Sequence, residues 1–92
     1  MLFIVIAKDA PGALEKRQQV RDEHLRGIES YIKTKKILFG GAILDDDGKM
    51  VGSSLLVDFE SREALDEFLH NDIYTRSGVW QDFEIYPFKR AV

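Results

Sequence analysis

The stretch RQQVRDEHLRGIESYI, residues 17–32, places an imidazole and two guanidinium groups where a core-facing stripe is expected. At about 100° per residue, Arg17, Val20, Arg21, His24, Ile28 and Tyr31 fall on one side of a helix. With no cysteine in the chain, any chemistry has to come from His, carboxylate, hydroxyl or Arg side chains. His24, on the inward side of this helix, suits general acid–base work, because an imidazole can take up or release a proton near neutral pH. The plainer reading is a core-edge histidine satisfied by a carbonyl.

Arg17 and Arg21 lie one turn apart and point the same way as His24, which would suit an anion clamp for a carboxylate or phenolate. Their plainer reading is a pair of side chains that snorkel to solvent or pair with Asp22, Glu23 or another chain. Arg17 is assigned to that plainer reading, and Arg21 has the better claim to a ligand or, equally, to a structural ion pair. Gly40-Gly41 and Gly52-Ser53-Ser54 flank one hairpin, so the hydroxyls of Ser53 and Ser54 could orient a ligand beside the space that glycine leaves. The segment NDIYTRSGVW, residues 71–80, is read as a loop able to deliver Asp72 and Tyr74 to the sheet edge. His70, near the end of a helix, is read as structural, and Asp45-Asp46-Asp47 lacks the spacing of a calcium loop.

The elements that must position these residues follow from punctuation and period. LFIVIA, residues 2–7, is a buried strand that stops at Asp9-Ala-Pro-Gly12, and the first helix runs from about Ala13 to Lys35. Two strand-like runs surround Asp46-Asp47-Gly48, an Asp-Gly hairpin signal. Ser61 caps a second helix with Ala64, Leu65, Phe68 and Leu69 at helical spacing, and VWQDFEIYPFKRAV supplies a last strand ending near Pro87. The order β-α-β-β-α-β predicts a ferredoxin-like α+β fold, an antiparallel sheet with both helices on one face. Its other face is too apolar to stay bare, which predicts a homodimer through the sheets.

Ninety-two residues make one domain, read as a single unit over 1–92. A net charge of -3 and the lack of a basic stripe argue against nucleic acid. The apolar run at the start is too short for a signal peptide or a membrane span, so a cytoplasmic protein is expected.

The segments LEKRQQVRDEHL, GG in the second strand, GSSLLVDFES, NDIY with GV after it, and the terminal PFK together resemble the YCII-related family across the whole chain. The resemblance implies a ferredoxin-like fold paired as a dimeric α+β barrel, and a His and Asp pair in a pocket between helix and sheet. By position these are His24 and Asp72. Arg21, Ser53 and Ser54 would line or support that pocket. Where the family commonly has D-P-Y, this chain has Asp72-Ile73-Tyr74, which removes a rigid proline beside the carboxylate. Some relatives are enzymes acting on small ring compounds, including a dehydrochlorinase of chlorinated hydroxyhydroquinone.

The expectation is therefore a small enzyme-like dimer that needs no metal or organic cofactor. His24, oriented by Asp72, moves a proton in an isomerisation or elimination on a small anionic or phenolic ring compound. Arg21, Ser53, Ser54 and Tyr74 hold that substrate. The alternative is a non-catalytic metabolite-binding or accessory dimer built on the same pocket.

Overall fold

The computed structural model describes residues 1–92 and has the predicted element order with one addition. Strand β1 spans Leu2–Asp9, helix α1 Leu14–Lys33, β2 Ile37–Leu44, β3 Met50–Asp58, α2 Arg62–Asn71, α3 Ile73–Arg76 and β4 Trp80–Pro87. The four strands form one antiparallel sheet in the order β2-β3-β1-β4, the ferredoxin-like arrangement. The short helix α3 lies in the segment read from sequence as loop. No helix is long and apolar enough to cross a membrane.

The register fixes which side chains share a face. Phe3 stands opposite Val57, Val5 opposite Leu55 and Ala7 opposite Ser53, so these six residues point toward the helices. Against them pack Ile28 of α1, Leu65, Phe68 and Leu69 of α2, and Tyr74 of α3. Tyr31, Phe59 and Phe68 add an aromatic group at the far end, with Tyr31 and Phe68 centroids 4.7 Å apart. The opposite face carries Ile4, Ile6, Leu56 and Tyr86, joined by Ser54.

Local chemistry accounts for the element ends. Gly12 at φ 74° and Gly48 at φ 79° take the left-handed conformation that the turns after β1 and between β2 and β3 require. Asp45 closes the hairpin by accepting from the backbone N–H groups of Asp47 and Lys49. Ser61 caps α2, its hydroxyl accepting from Ala64 N–H at 3.1 Å. Helix α1 ends two residues before the expected Lys35, because Lys35 itself has left-handed backbone, φ 61°, and cannot continue the helix.

Candidate functional site

Asp72 sits between α2 and α3 in extended conformation and caps α3, its Oδ1 accepting from the Tyr74 N–H at 2.9 Å. That cap aims the carboxylate at α1. His24 Nδ1 lies 2.8 Å from Asp72 Oδ1 and 3.0 Å from Oδ2. An ionised carboxylate offers only acceptors, so Nδ1 donates to it, and in the neutral ring Nε2 keeps its lone pair. Both side chains are largely withdrawn from water, at 11% and 3% exposure. Ile73 in place of the family's proline does not prevent the contact.

Tyr74 faces the imidazole. Its ring stacks on that of His24 with centroids 3.9 Å apart and planes 8° from parallel, and Trp80 meets His24 edge-on at 5.5 Å and Tyr74 at 5.3 Å. Burial pushes the Tyr74 phenol above its ordinary value, opposed in part by the positive charges of Arg17 and Arg21. The phenol therefore stays protonated at neutral pH.

Arg17 departs from the sequence expectation. It neither snorkels to solvent nor pairs with Asp22 or Glu23; it is 5% exposed and bonded to Asp9. Its Nη1 donates to both Asp9 oxygens at 3.0 and 3.1 Å, and its Nη2 donates to Ser53 Oγ at 2.8 Å. The reason is the strand alternation: after Ala7 faces the helices and Lys8 faces away, Asp9 faces the helices again and meets the first turn of α1. Arg17 Nε has no hydrogen-bond partner, but the guanidinium carbon lies 4.9 Å from the Tyr74 ring centroid, where the π-face offsets part of that deficit. Trp80 Nε1 also donates to Ser53 Oγ, at 3.1 Å.

These groups border a cavity of about 390 Å³ between α1 and the β2–β3 half of the sheet. Its floor and walls are mostly apolar, from Ile28, Ile37, Leu55 and Met50, and its polar groups come from Arg17, Arg21, His24, Ser53, Tyr74 and Trp80. Leu25, Ile32 and Phe39, all exposed, lie along the mouth. A Cβ added at Gly40 would meet the tip of the Leu55 side chain, which would have to shift. A second space of about 400 Å³, lined by Glu23, Arg26, Gly27, Asn71, Asp72 and Arg76 among others, lies on another side of His24. His24 borders both, whereas Asp72 borders only the second.

Of the residues singled out from sequence, the fold brings His24, Asp72, Arg21, Ser53 and Tyr74 together. Arg21 is exposed, lines the first cavity and forms no ion pair. Ser54 is not brought in: it pairs with Ile6 across the sheet and faces away from the cavity. Period-two alternation already requires adjacent strand serines to point apart. His70 stays at the end of α2, within 2.7 Å of the Asp66 carbonyl, apart from the site. Asp9, Arg17 and Trp80 join the site without being singled out for it by the sequence. The shared face of Arg17 and His24 was the one sequence signal for any of them.

Comparison with known proteins agrees with the fold. A model of the YCII-related domain matches residues 1–89. Protein YciI of Escherichia coli is 31% identical over 99% of this chain and 99% of its own length. Fusaric acid biosynthesis protein 2 of Gibberella fujikuroi is 33% identical, with 95% of this chain and 91% of that protein covered. Among solved structures, 5-chloro-2-hydroxyhydroquinone dehydrochlorinase from Burkholderia phenoliruptrix, in complex with 2,5-dihydroxybenzoquinone, superposes with a TM-score of 0.88 at 32% identity. The match covers 99% of this chain and 96% of that one.

Proposed function

This chain belongs to the YCII-related domain family, and we propose that it is a small-molecule enzyme transferring a proton on an oxygen-bearing ring compound. The observation that carries the reading is the His24–Asp72 pair, 2.8 Å apart, with the imidazole opening on an apolar cavity that also holds an unpaired Arg21. Asp72 fixes the tautomer and orientation of the ring, and Nε2 accepts or returns the proton. Arg21 offsets negative charge on a phenolate or carboxylate, and Ser53 adds a hydrogen bond to an oxygen. Tyr74 holds the imidazole by stacking. Elimination or isomerisation fits this set of groups, since each needs a base beside an acidic C–H or O–H and a stabilised oxyanion. The solved dehydrochlorinase with its bound dihydroxybenzoquinone supports a ring substrate of this class.

The active form in this reading is a homodimer. The face of the sheet away from the helices presents Ile4, Ile6 and Tyr86 around a buried Leu56, with Lys8 and Glu84 paired to each other at 3.4 Å and Asp82 on the same side. A largely apolar face of this kind can be matched by a second copy across a two-fold axis. Ile6→Lys is expected to shift the protein to monomer in sedimentation. An unchanged assembly in that variant would reject this interface.

The function is tested by incubating the protein with chlorinated and unchlorinated hydroxyhydroquinones and small lactones, following both ligand-induced thermal shift and product formation. Conversion by the wild type that is lost in His24→Ala is the expected result. Conversion that survives His24→Ala and Asp72→Asn would overturn the assignment. Binding without conversion would replace the enzyme by a metabolite-binding dimer.

A further inference from the structure

A serine hydroxyl has one hydrogen to give and two lone pairs to receive with. At Ser53 both lone pairs are occupied from within the protein, by Arg17 Nη2 at 2.8 Å and Trp80 Nε1 at 3.1 Å. Neither donor can reverse: a guanidinium and an indole N–H only donate. The hydroxyl hydrogen makes no hydrogen bond to any acceptor of the chain, and Ser53 borders the first cavity.

We infer that Ser53 is a fixed one-way donor whose hydrogen points into the cavity, so that the ligand atom seated there is a pure acceptor: a carbonyl, phenolate or carboxylate oxygen. The inference rests on the reading of this cavity as a ring-compound site and narrows it to a substrate with an acceptor oxygen facing Ser53. Arg17 and Trp80 are positioning residues for this hydrogen. Asp9 completes the set by holding Arg17 with both of its oxygens, and its side chain is 5% exposed, so the guanidinium is not free to swing toward solvent. Two consequences follow. Ser53 does not serve as a nucleophile, because its lone pairs are engaged. Its donor strength is raised by the cation bonded to the same oxygen.

Two measurements test this, one of them independent of any ligand. Neutron diffraction on deuterium-exchanged crystals of the free protein should show the Ser53 deuteron directed into the cavity, and in Trp80→Phe that deuteron should spread over two orientations. A deuteron aimed at a protein acceptor, or a single unchanged orientation in Trp80→Phe, would overturn the inference. In the second measurement, 2,5-dihydroxybenzoquinone is titrated into wild type and Ser53→Ala. A weakening of roughly 10-fold or more is expected, the usual effect of losing a hydrogen bond to a charged acceptor. Equal binding by both proteins removes the donor role and leaves the cavity assignment intact. No binding by the wild type removes the ring-compound reading, and the neutron map still decides the direction of the hydroxyl.

Discussion

His24 and Tyr74 lie face to face, ring centroids 3.9 Å apart and 8° from parallel, while Asp72 holds both: it accepts from His24 Nδ1 and from the Tyr74 backbone N–H. One carboxylate therefore serves as the cap of α3 and as the partner of the imidazole. The two roles can be separated by substitution. Asn caps a helix about as well as Asp, so Asp72→Asn is expected to keep the thermal stability within about 1 kcal/mol of wild type. It can present its amide N–H to the ring and favour the wrong tautomer, and the rate on an identified substrate should fall by roughly 10²- to 10⁴-fold. An unchanged rate in Asp72→Asn would assign Asp72 to the helix cap alone.

The stacked phenol gives the fold a pH limit. Because burial raises the Tyr74 value in the folded chain, the neutral form is favoured on folding. The associated stability is fully present below the unfolded value of about 10 and is lost as the pH rises through the higher folded value. Tyr74→Phe keeps the ring against His24 and removes the titrating hydroxyl. Melting temperatures of the two proteins should run parallel below about pH 10 and separate above it, with the wild type falling faster. Parallel curves up to pH 11 would exclude Tyr74 as the source.

Arg17 and Asp9 form a buried pair, with side chains 6% and 5% exposed. Removing one member leaves a charge without its partner in a low-dielectric site. Arg17→Met should therefore cost about 3–5 kcal/mol in chemical denaturation, and Asp9→Leu combined with Arg17→Met should cost less than Arg17→Met alone. A single Arg17→Met with near-wild-type stability would mean that Asp9 finds another partner or a proton.

The same glycine-to-alanine change has opposite expected signs at two positions. Gly27, within α1, has open space where a Cβ would sit, so Gly27→Ala should stabilise by about 0.5–1 kcal/mol through helix propensity. At Gly52 the added Cβ would meet the Ala7 carbonyl oxygen at 2.5 Å, backbone of the neighbouring strand that cannot step aside. Gly52→Ala should destabilise by about 1–3 kcal/mol. Urea midpoints of the two variants on opposite sides of the wild type are the expected result, and a shared direction would contradict the strand register.

Lys35 offers a further stabilising site. Its φ of 61° places a side chain in the left-handed region that glycine occupies without cost. Lys35→Gly is expected to raise the unfolding free energy by roughly 1 kcal/mol, read from the denaturant midpoint at unchanged slope.

Much of this protein is written in short-range sequence. The apolar run of β1, the Asp-Gly hairpin, the Ser61 cap and the periodic face of α1 each depend on neighbours within a few residues, and these placed the strands, the two main helices and the inward side of His24. The resemblance of D-x-Y and R-x-x-H-L to a known family named Asp72 as the partner, but the sequence separation of 48 between it and His24 is closed only by the fold. Tertiary structure also decided the fate of the charges. Arg17 and Arg21 look alike on a helical wheel, yet the strand alternation at Asp9 draws Arg17 into the interior and leaves Arg21 unpaired at the cavity. Ser53 and Ser54 are neighbours of the same type, and the pleat sends one to the site and the other to the opposite face. Local periodicity tells a side chain which way to point; only the packed elements determine what stands opposite, because desolvation and hydrogen-bond partners come from residues distant in the chain.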